Sequence, residues 1–236
     1  MSNPDLAQTL RRLADPTTDV RDASMAFMAN LPVSGAAIAT LGELLGSETV
    51  SASNPLAAQI DELQFDLGEG PCWDALQHYS PVLATDLPTA RRRWPAFAPA
   101  AMERGITAVF AFPLFIGHLR IGAVDLYTTT ATAPLDDTQQ GQAAAMATVV
   151  SRRVLQRALA NSIDIEDDLD SNPHSRRIVH QATGMVLAQL DLAPEDARLV
   201  IQGHAFATGQ TMMVVAQQLI DRTLSFMKTD SGIEER

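Results

Sequence analysis

Two apolar segments joined by a glycine turn place the strongest constraint on the fold. Residues 106–116 and 119–127 are rich in β-branched and aromatic residues, and Gly117-His118 connects them. Such a pair predicts a β-hairpin at the centre of an antiparallel sheet. Segments 33–40 and 48–53 have strand-like patterns and predict a second hairpin, and Pro81 begins a short strand. The first two thirds of the chain therefore contain the sheet.

Helical patterns precede, separate and follow these strands. The last of them, residues 137–159, lacks proline and repeats small apolar residues at steps of four and three, which predicts a helix with a coiled-coil-like seam. The seam consists of Ala143, Ala147, Val150 and Val154. Other helices are predicted in residues 4–30, where Asp15-Pro16 separates two amphipathic runs, from Pro55 to the turn at Gly68, in 72–79 and in 91–104.

An acidic segment divides the chain into two parts. Residues 161–172 hold five carboxylates and end at Pro173, a composition typical of a linker. Three amphipathic stripes follow in residues 173–228 and predict a small helical bundle. Pro194, followed by two acidic residues, marks the start of its second helix, and Gly209 followed by Thr211 ends that helix and begins the third.

The predicted fold class is α+β, an antiparallel sheet flanked by helices and followed by a helical linker and a three-helix bundle. The predicted parts are an N-terminal helical extension (1–19), a sheet domain (20–160), a linker (161–172), a bundle (173–228) and a tail (229–236).

Charge is distributed unevenly over these parts. The net charge of the chain is −11, and residues 1–173 carry 11 arginines against 21 acidic residues. Residues 174–228 carry 5 basic and 4 acidic residues. Because an acidic surface repels phosphates, contact with nucleic acid is expected only in the C-terminal part.

The sequence lacks the residues or segments that several classes of function require. No apolar run is long enough for a membrane span and no secretory signal is evident, so a cytoplasmic protein is expected. Cys72 is the single cysteine, which excludes an internal disulfide, and its position after Gly70-Pro71 fits either a buried structural thiol or a reactive thiolate. His78 and His118 have no ligand cluster around them, so we expect no metal or other cofactor. Catalytic motifs are missing, and we expect no enzyme activity.

The sheet domain resembles the GAF domains of actinobacterial GAF-ANTAR regulators. Three runs carry the resemblance: LQFDLGEGPC at 63–72, RWPAF at 93–97 and AVFAFPL at 108–114. The resemblance implies a sensor whose sheet has a pocket on one face, with an unknown ligand. The residues expected to line that pocket, or the core beside it, are Cys72, Phe110, Phe112, Phe115 and Tyr127.

The C-terminal part is similar to the ANTAR family. The run HQATGMV at 180–186, Ala197, HAFA at 204–207, Val215-Ala216 and Ile220 carry the similarity. The family binds RNA hairpins and promotes transcription antitermination, so the similarity implies an RNA-binding module. The sequence departs from the family at Thr183, where lysine is frequent, and it has fewer basic residues around Gln202 and in 208–210, which implies fewer phosphate contacts.

The similarity implies an RNA-binding set that is rich in arginine, histidine and polar residues. Gly184 lies in the middle of the first helix, where glycine costs roughly 1 kcal/mol relative to alanine, so either an RNA backbone or a neighbouring helix is expected to approach it. Phe206 is expected in the core. The RNA-binding set is Arg176, Arg177, His180, Thr183, Gly184, Arg198, His204 and Gln210.

The sequence thus predicts a signal-responsive antitermination regulator. A homodimer, packed through helices such as 137–159, would present two modules to RNA with tandem hairpin loops. The signal at the sensor is left open between a small molecule, a partner protein, a redox change at Cys72 and no ligand at all. The alternative hypothesis is a protein-interaction scaffold in which the bundle docks another regulator and RNA binding is weakened or lost.

Overall fold

The computed structural model describes residues 6–41, 45–130, 134–161, 176–229 and 232–235. The chain divides into two compact units, Met1–His174 and Ser175–Arg236. Each unit has its own hydrophobic core and is considered by itself.

A five-stranded antiparallel sheet forms the middle of the first unit. Its strands are β1 (Gly35–Thr40), β2 (Glu48–Ala52), β3 (Val82–Ala84), β4 (Ala108–Ile116) and β5 (Leu119–Thr128), in the order β2-β1-β5-β4-β3. Both predicted hairpins are confirmed, since β1 pairs with β2 and β4 with β5. β5 is the central strand, as its apolar pattern predicts.

Helices cover both faces of this sheet. Helices α1 (Leu6–Ala14), α2 (Ala23–Asn30) and α7 (Asp137–Asn161) cover one face. On the other face lie α3 (Pro55–Leu67), α4 (Pro71–His78), α5 (Leu87–Ala90) and α6 (Phe97–Glu103). α1, which the sequence assigned to an extension, packs against α7 and buries Leu13 in the shared core.

The apolar stripe of α7 is part of the core of its own unit. Ala143, Ala147, Val150 and Val154 are all at most 3% exposed and pack with the residues of α2 and the sheet. The predicted helix is confirmed, but these four residues contact the same chain. The stripe therefore offers no surface for a coiled-coil seam.

The first half of one predicted helix is wrong. Residues 91–104 were expected to form a single helix, whereas residues 91–96 are not helical and only α6 confirms the prediction. Pro95 explains the interruption, because proline lacks a backbone N–H and disfavours helical geometry in the preceding residue, Trp94.

Local signals set the ends of α3. The side chain of Asn54 accepts a hydrogen bond from Ala57 N at 2.9 Å, Pro55 occupies the first turn, and Gly68 ends the helix with φ of 62°. Glycine adopts that left-handed backbone without steric cost, so the position of the helix end follows directly from the sequence.

The described residues of the second unit form three helices and a short hairpin. The helices are α8 (Arg177–Leu190), α9 (Pro194–Thr208) and α10 (Met212–Ile220), which confirms the predicted bundle. Thr211 caps α10 by accepting from Val214 N at 3.2 Å, as predicted. The hairpin of β6 (Phe226–Thr229) and β7 (Gly232–Glu235) was not predicted, and it lies partly in the segment assigned to a tail. The predicted linker falls almost entirely outside the described residues.

Candidate nucleic-acid interface and ligand cleft

One exposed face of α8 carries several of the residues expected to contact RNA. Arg177, His180 and Gly184 are exposed and follow one another at steps of three and four residues, which places them on one side of the helix. We call these three residues the α8 face. Thr183 is half-buried beside it, and its hydroxyl donates to the carbonyl of Val179 at 2.7 Å.

The surface around Gly184 is open. A Cβ built on Gly184 would have no neighbouring atom within 4 Å among the described residues. Of the two explanations for this glycine, close approach of a neighbouring helix therefore does not apply within the described part of the chain. The approach of another molecule remains.

Two arginines, one on α9 and one at the residue before α8, act electrostatically on His180. Partial burial, and then the positive charges of Arg198 and Arg176, lower the pKa of His180. Arg198 is half-buried on α9, and burial lowers the pKa of its guanidinium as well. Arginine nevertheless stays protonated at neutral pH. This end of the α8 face thus combines two fixed positive charges with a histidine that favours its neutral form.

Arg176 differs from the expectation of a surface residue that steers phosphates. It is only 3% exposed, at the residue that precedes α8, whereas Arg177 is exposed. Its charge acts on His180 from within the unit.

His204 and Gln210 lie apart from this cluster. Six residues of helix are one and two thirds turns, so His204 leaves α9 on a different side from Arg198. Nδ1 of His204 is 3.5 Å from a carboxylate oxygen of Glu235, and its ring packs edge-to-face on Phe226 at 5.4 Å. Gln210 is exposed in the turn before α10. A carboxylate beside His204 disfavours a phosphate there.

The expectation that Phe206 is a core residue is wrong. Its side chain is 69% exposed. The core stripe of α9 is Ala197, Ile201 and Ala205, and the next residue points about 100° away from that stripe. Since Phe206 follows Arg198 by two steps of four residues, both leave the helix on neighbouring sides.

The five residues expected at the sensor pocket are not brought together. Phe110 and Phe112 lie in the core under α1, α2 and α7, while Tyr127 pairs with Val109 and lies in the opposite core. Cys72 is 1% exposed on α4. Phe115, the second-last residue of β4, is 40% exposed.

A cleft of about 870 Å³ lies elsewhere on the first unit. It is bounded by α4, the turn before α6 and the β4–β5 turn, and we call it the Trp cleft. Its lining consists of Leu41, Gly68, Glu69, Trp73, Asp74, Leu76, Gln77, Tyr79, Arg93, Trp94, His118, Leu119 and Arg120. A second groove, of about 550 Å³ along β3, shares Arg93 and Trp94 with it.

Internal contacts hold the charged side chains of the Trp cleft. Oδ2 of Asp74 lies 2.5 Å from Nε of Arg93 and accepts a hydrogen bond from Trp94 Nε1 at 3.0 Å. Oε1 of Glu69 accepts the N–H groups of Ala96 and Phe97, each at 2.7 Å, and so satisfies the first turn of α6. Both carboxylates therefore stabilise contacts within the first unit.

The β4–β5 turn contributes the second charged corner. The guanidinium of Arg120 lies over the ring of Tyr79, 4.9 Å from its centroid, and the hydroxyl of Tyr79 donates to the carbonyl of His118 at 3.1 Å. Phe115 packs on Tyr79 edge-to-face at 5.9 Å. None of the lining residues was predicted as a binding residue from the sequence. The available signal was that both tryptophans of the chain neighbour charged residues, Asp74 and Arg93.

Within the described ranges, no helix is long and apolar enough to cross a bilayer. The same residues contain no group of three or more histidine, cysteine, aspartate or glutamate side chains that could hold a metal ion.

Comparisons with solved structures agree on the fold of the first unit. The chain is similar to the GAF domain of a phosphoenolpyruvate-protein phosphotransferase from Coxiella burnetii, with 10% identity and a TM-score of 0.51 over 69% of this chain and 99% of that chain. It is also similar to the GAF domain of the Acinetobacter phosphoenolpyruvate-protein phosphotransferase, with 14% identity and a TM-score of 0.50 over 72% of this chain and 100% of that one. At these identities the likeness shows the fold alone. No curated protein matches the sequence.

Family models assign both parts of the chain. The model of the ANTAR domain matches residues 167–220, which include all three helices of the second unit, and the model of the GAF domain matches residues 3–154. GAF domains are sensors and ANTAR domains bind RNA in antitermination, so the chain has the architecture of a regulator. Because the GAF match covers more than half of its residues, the chain belongs to the GAF domain family, and an ANTAR domain follows the GAF domain.

Proposed function

We propose that this protein is a signal-responsive antitermination regulator whose second unit binds RNA hairpins under the control of the first. The observation that carries the proposal is the α8 face, with Arg198 and Arg176 acting electrostatically on His180, inside the segment that matches the ANTAR domain. It supports RNA binding because positive charge and an open, small-residue surface are what a phosphate backbone requires.

Each side chain of the interface has a separate role in this proposal. Arg177 and Arg198 contact phosphates. The neutral imidazole of His180 both donates and accepts hydrogen bonds, which suits a base edge or a 2′-hydroxyl. Gly184 lets the RNA backbone come close. The exposed ring of Phe206 provides the flat surface on which an unpaired loop base stacks.

The proposal includes a homodimer that binds two hairpins of one RNA. Few cations line each module, so each contact is weak, and a second module on the same particle raises the effective concentration for the second hairpin. The bound pair of hairpins then stabilises an antiterminator over the competing terminator. Sedimentation equilibrium of the purified chain, with and without RNA, tests the dimer.

The first test is a titration of the full chain against RNA with two tandem hexaloop hairpins. A loop-scrambled RNA of the same length is the control, and both are measured by fluorescence anisotropy at a low and a high salt concentration. We expect tighter binding to the intact loops and a fall in affinity as salt rises, since counterions are released from the phosphates. Equal binding to both RNAs contradicts the proposal.

Matched variants localise the interface. Arg177→Gln is expected to weaken RNA binding and to make it less salt-dependent, whereas Arg222→Gln, which removes an exposed arginine elsewhere in the same unit, is expected to leave it unchanged. Phe206→Ala removes a stacking surface and is expected to reduce affinity by about tenfold. Val214→Ala, at a residue that is 46% exposed on α10, is its control.

A protein-interaction scaffold is the second candidate function. The observation that favours it is the apolar exposure on α9, where Leu199 is 56% and Phe206 69% exposed. Docking through an apolar surface depends little on salt, whereas RNA binding depends on it steeply. The salt series therefore separates the two functions with the same sample.

A further inference from the structure

We propose that the Trp cleft binds a small planar aromatic anion whose carboxylate pairs with Arg120. This inference rests on the sensor role in the proposed function and names the class of signal and the residues that receive it.

The aromatic walls are held in place by the protein itself. Trp73 Nε1 donates to the carbonyl of Gln64 at 2.7 Å, Trp94 Nε1 donates to Asp74, and the Tyr79 hydroxyl donates to the carbonyl of His118. The polar atoms of all three rings thus have partners inside the unit. Trp73 is half-buried and Tyr79 is 37% exposed, whereas Trp94 is only 3% exposed, so the apolar surface that a ligand meets in a fixed orientation comes from Trp73 and Tyr79.

The lining has two carboxylates and two guanidinium groups, and of these four groups Arg120 is the one whose charge no contact offsets. Asp74 and Glu69 are held by internal partners, and Arg93 is neutralised by Asp74. Arg120 has the ring of Tyr79 beneath it and the carbonyl of Gln77 at 3.4 Å, but no carboxylate of the described residues lies within 4 Å of its guanidinium. His118 lines the same corner. An anionic ligand is therefore favoured over a neutral or cationic one.

The cleft has the size of a small-molecule site. Its volume of about 870 Å³ lies within the range of roughly 300–1,000 Å³ typical of ligand pockets. The lining comes from α4, the turn that carries Arg93 and Trp94, and the β4–β5 turn. A ligand with its ring against Trp73 and its carboxylate on Arg120 bridges α4 and the β4–β5 turn. It would thereby stabilise their relative positions, which is the property that a sensor requires.

The two tryptophans provide a direct assay. The chain contains no other tryptophan, so labelling with 5-fluorotryptophan gives two ¹⁹F resonances, both from residues of the Trp cleft. The probes are 2-naphthoate, its neutral analogue 2-naphthamide, and the non-aromatic anion cyclohexanecarboxylate. We expect 2-naphthoate to shift both resonances in a saturable way, and each of the other two probes to bind at least about tenfold more weakly.

A pair of charge-matched variants tests the role of Arg120. Arg120→Gln is expected to weaken 2-naphthoate binding by about tenfold or more, while Arg152→Gln, at an exposed residue of α7, leaves it unchanged. The two dispersed ¹⁹F resonances also report that each variant is folded. The proposal is overturned if saturating 2-naphthoate leaves the resonances unshifted. It is also overturned if 2-naphthamide binds as tightly as 2-naphthoate, or if Arg120→Gln binds 2-naphthoate as tightly as the wild type.

This assay is independent of RNA binding. If the chain binds RNA in a loop-dependent way but does not bind 2-naphthoate, only the proposed ligand site is contradicted. Conversely, saturable binding of 2-naphthoate by a chain that does not distinguish the two RNAs contradicts the antitermination proposal alone.

Discussion

Asp125 on β5 and Asp61 on α3 are two buried carboxyl groups, 3% and 1% exposed, and the charge of Asp61 acts on Asp125. The neighbours of Asp125 across the sheet are Ala37 and Ala111, and the hydroxyl of Thr49 donates to Asp61. Burial, and then the charge of Asp61, raise the pKa of Asp125 to about 8, and its contact with Gln64 offsets this only in part.

This pair predicts that the free energy of unfolding decreases as the pH rises. An aspartate in the unfolded chain has a pKa near 4, so between about pH 4 and pH 8 the folded protein holds a proton that the unfolded chain releases. The free energy of unfolding should decrease by roughly 1.4 kcal/mol per pH unit over this range and level off above it. Urea unfolding followed by tryptophan fluorescence measures it, since both tryptophans lie in the first unit.

Asp125→Asn keeps the shape of the side chain but holds no titratable proton. We expect its unfolding free energy to vary much less with pH than that of the wild type, with the larger value at pH 8. Asp137→Asn, at an exposed carboxylate of α7, is the control and should retain the slope. A parallel slope in Asp125→Asn and wild type would contradict the role of Asp125.

Gly184 and Gly203 form a matched pair for separating stability from RNA binding. Both are exposed glycines inside helices of the second unit, and neither has a described atom within 4 Å of an added Cβ. Alanine at either position should stabilise the unit by about 0.5–1 kcal/mol through helix propensity. Only Gly184→Ala is expected to weaken RNA binding, because its methyl group stands on the α8 face. Thermal unfolding and the anisotropy titration check the two effects, and equal RNA affinity of both variants would refute the close approach at Gly184.

Glu69 holds α6 in place from a distant part of the chain. Its carboxylate oxygen accepts two backbone hydrogen bonds at 2.7 Å, and charge-assisted bonds of this kind are strong. Glu69→Ala should lower the free energy of unfolding by about 2 kcal/mol, and Glu69→Gln, which keeps an acceptor, by about half as much. Glu103→Ala, at an exposed glutamate on the same helix, should change it little. Urea unfolding measures the free energy of unfolding of the three variants. A different order of the three losses would contradict the role of Glu69.

Cys72 should be protected from reagents in the folded protein. Its side chain is 1% exposed, and its N–H donates to Oε1 of Gln64 at 2.9 Å, which fixes the start of α4. Because the chain has one cysteine, reaction with 5,5′-dithiobis(2-nitrobenzoate) reports this site alone. We expect slow labelling in buffer and rapid stoichiometric labelling in urea. Labelling in buffer within the mixing time would instead support the reactive thiolate that the sequence left open.

Sequence patterns were sufficient where the signal is local. The turn at Gly117-His118 predicted the β4–β5 hairpin, Asn54 and Gly68 marked the ends of α3, and Thr211 marked the cap of α10. Each of these depends on residues close in sequence, so a propensity or a single hydrogen bond decides the outcome. The helix expected at 91–104 failed for a reason that was also local, namely Pro95.

The sites were decided by contacts between distant segments. The Trp cleft joins residues 41, 73, 94 and 120, and only the packing of α4 against the sheet and the β4–β5 turn brings them to one place. Likewise, the seam of α7 satisfied a coiled-coil pattern but is buried in its own unit, because an apolar stripe does not specify which surface covers it. The sequence by itself determined most of the elements and their order and pointed to the two families, but not the break before α6 or the β6–β7 hairpin. The tertiary structure decided which side chains share a site, since burial and distance depend on the three-dimensional arrangement of the whole unit.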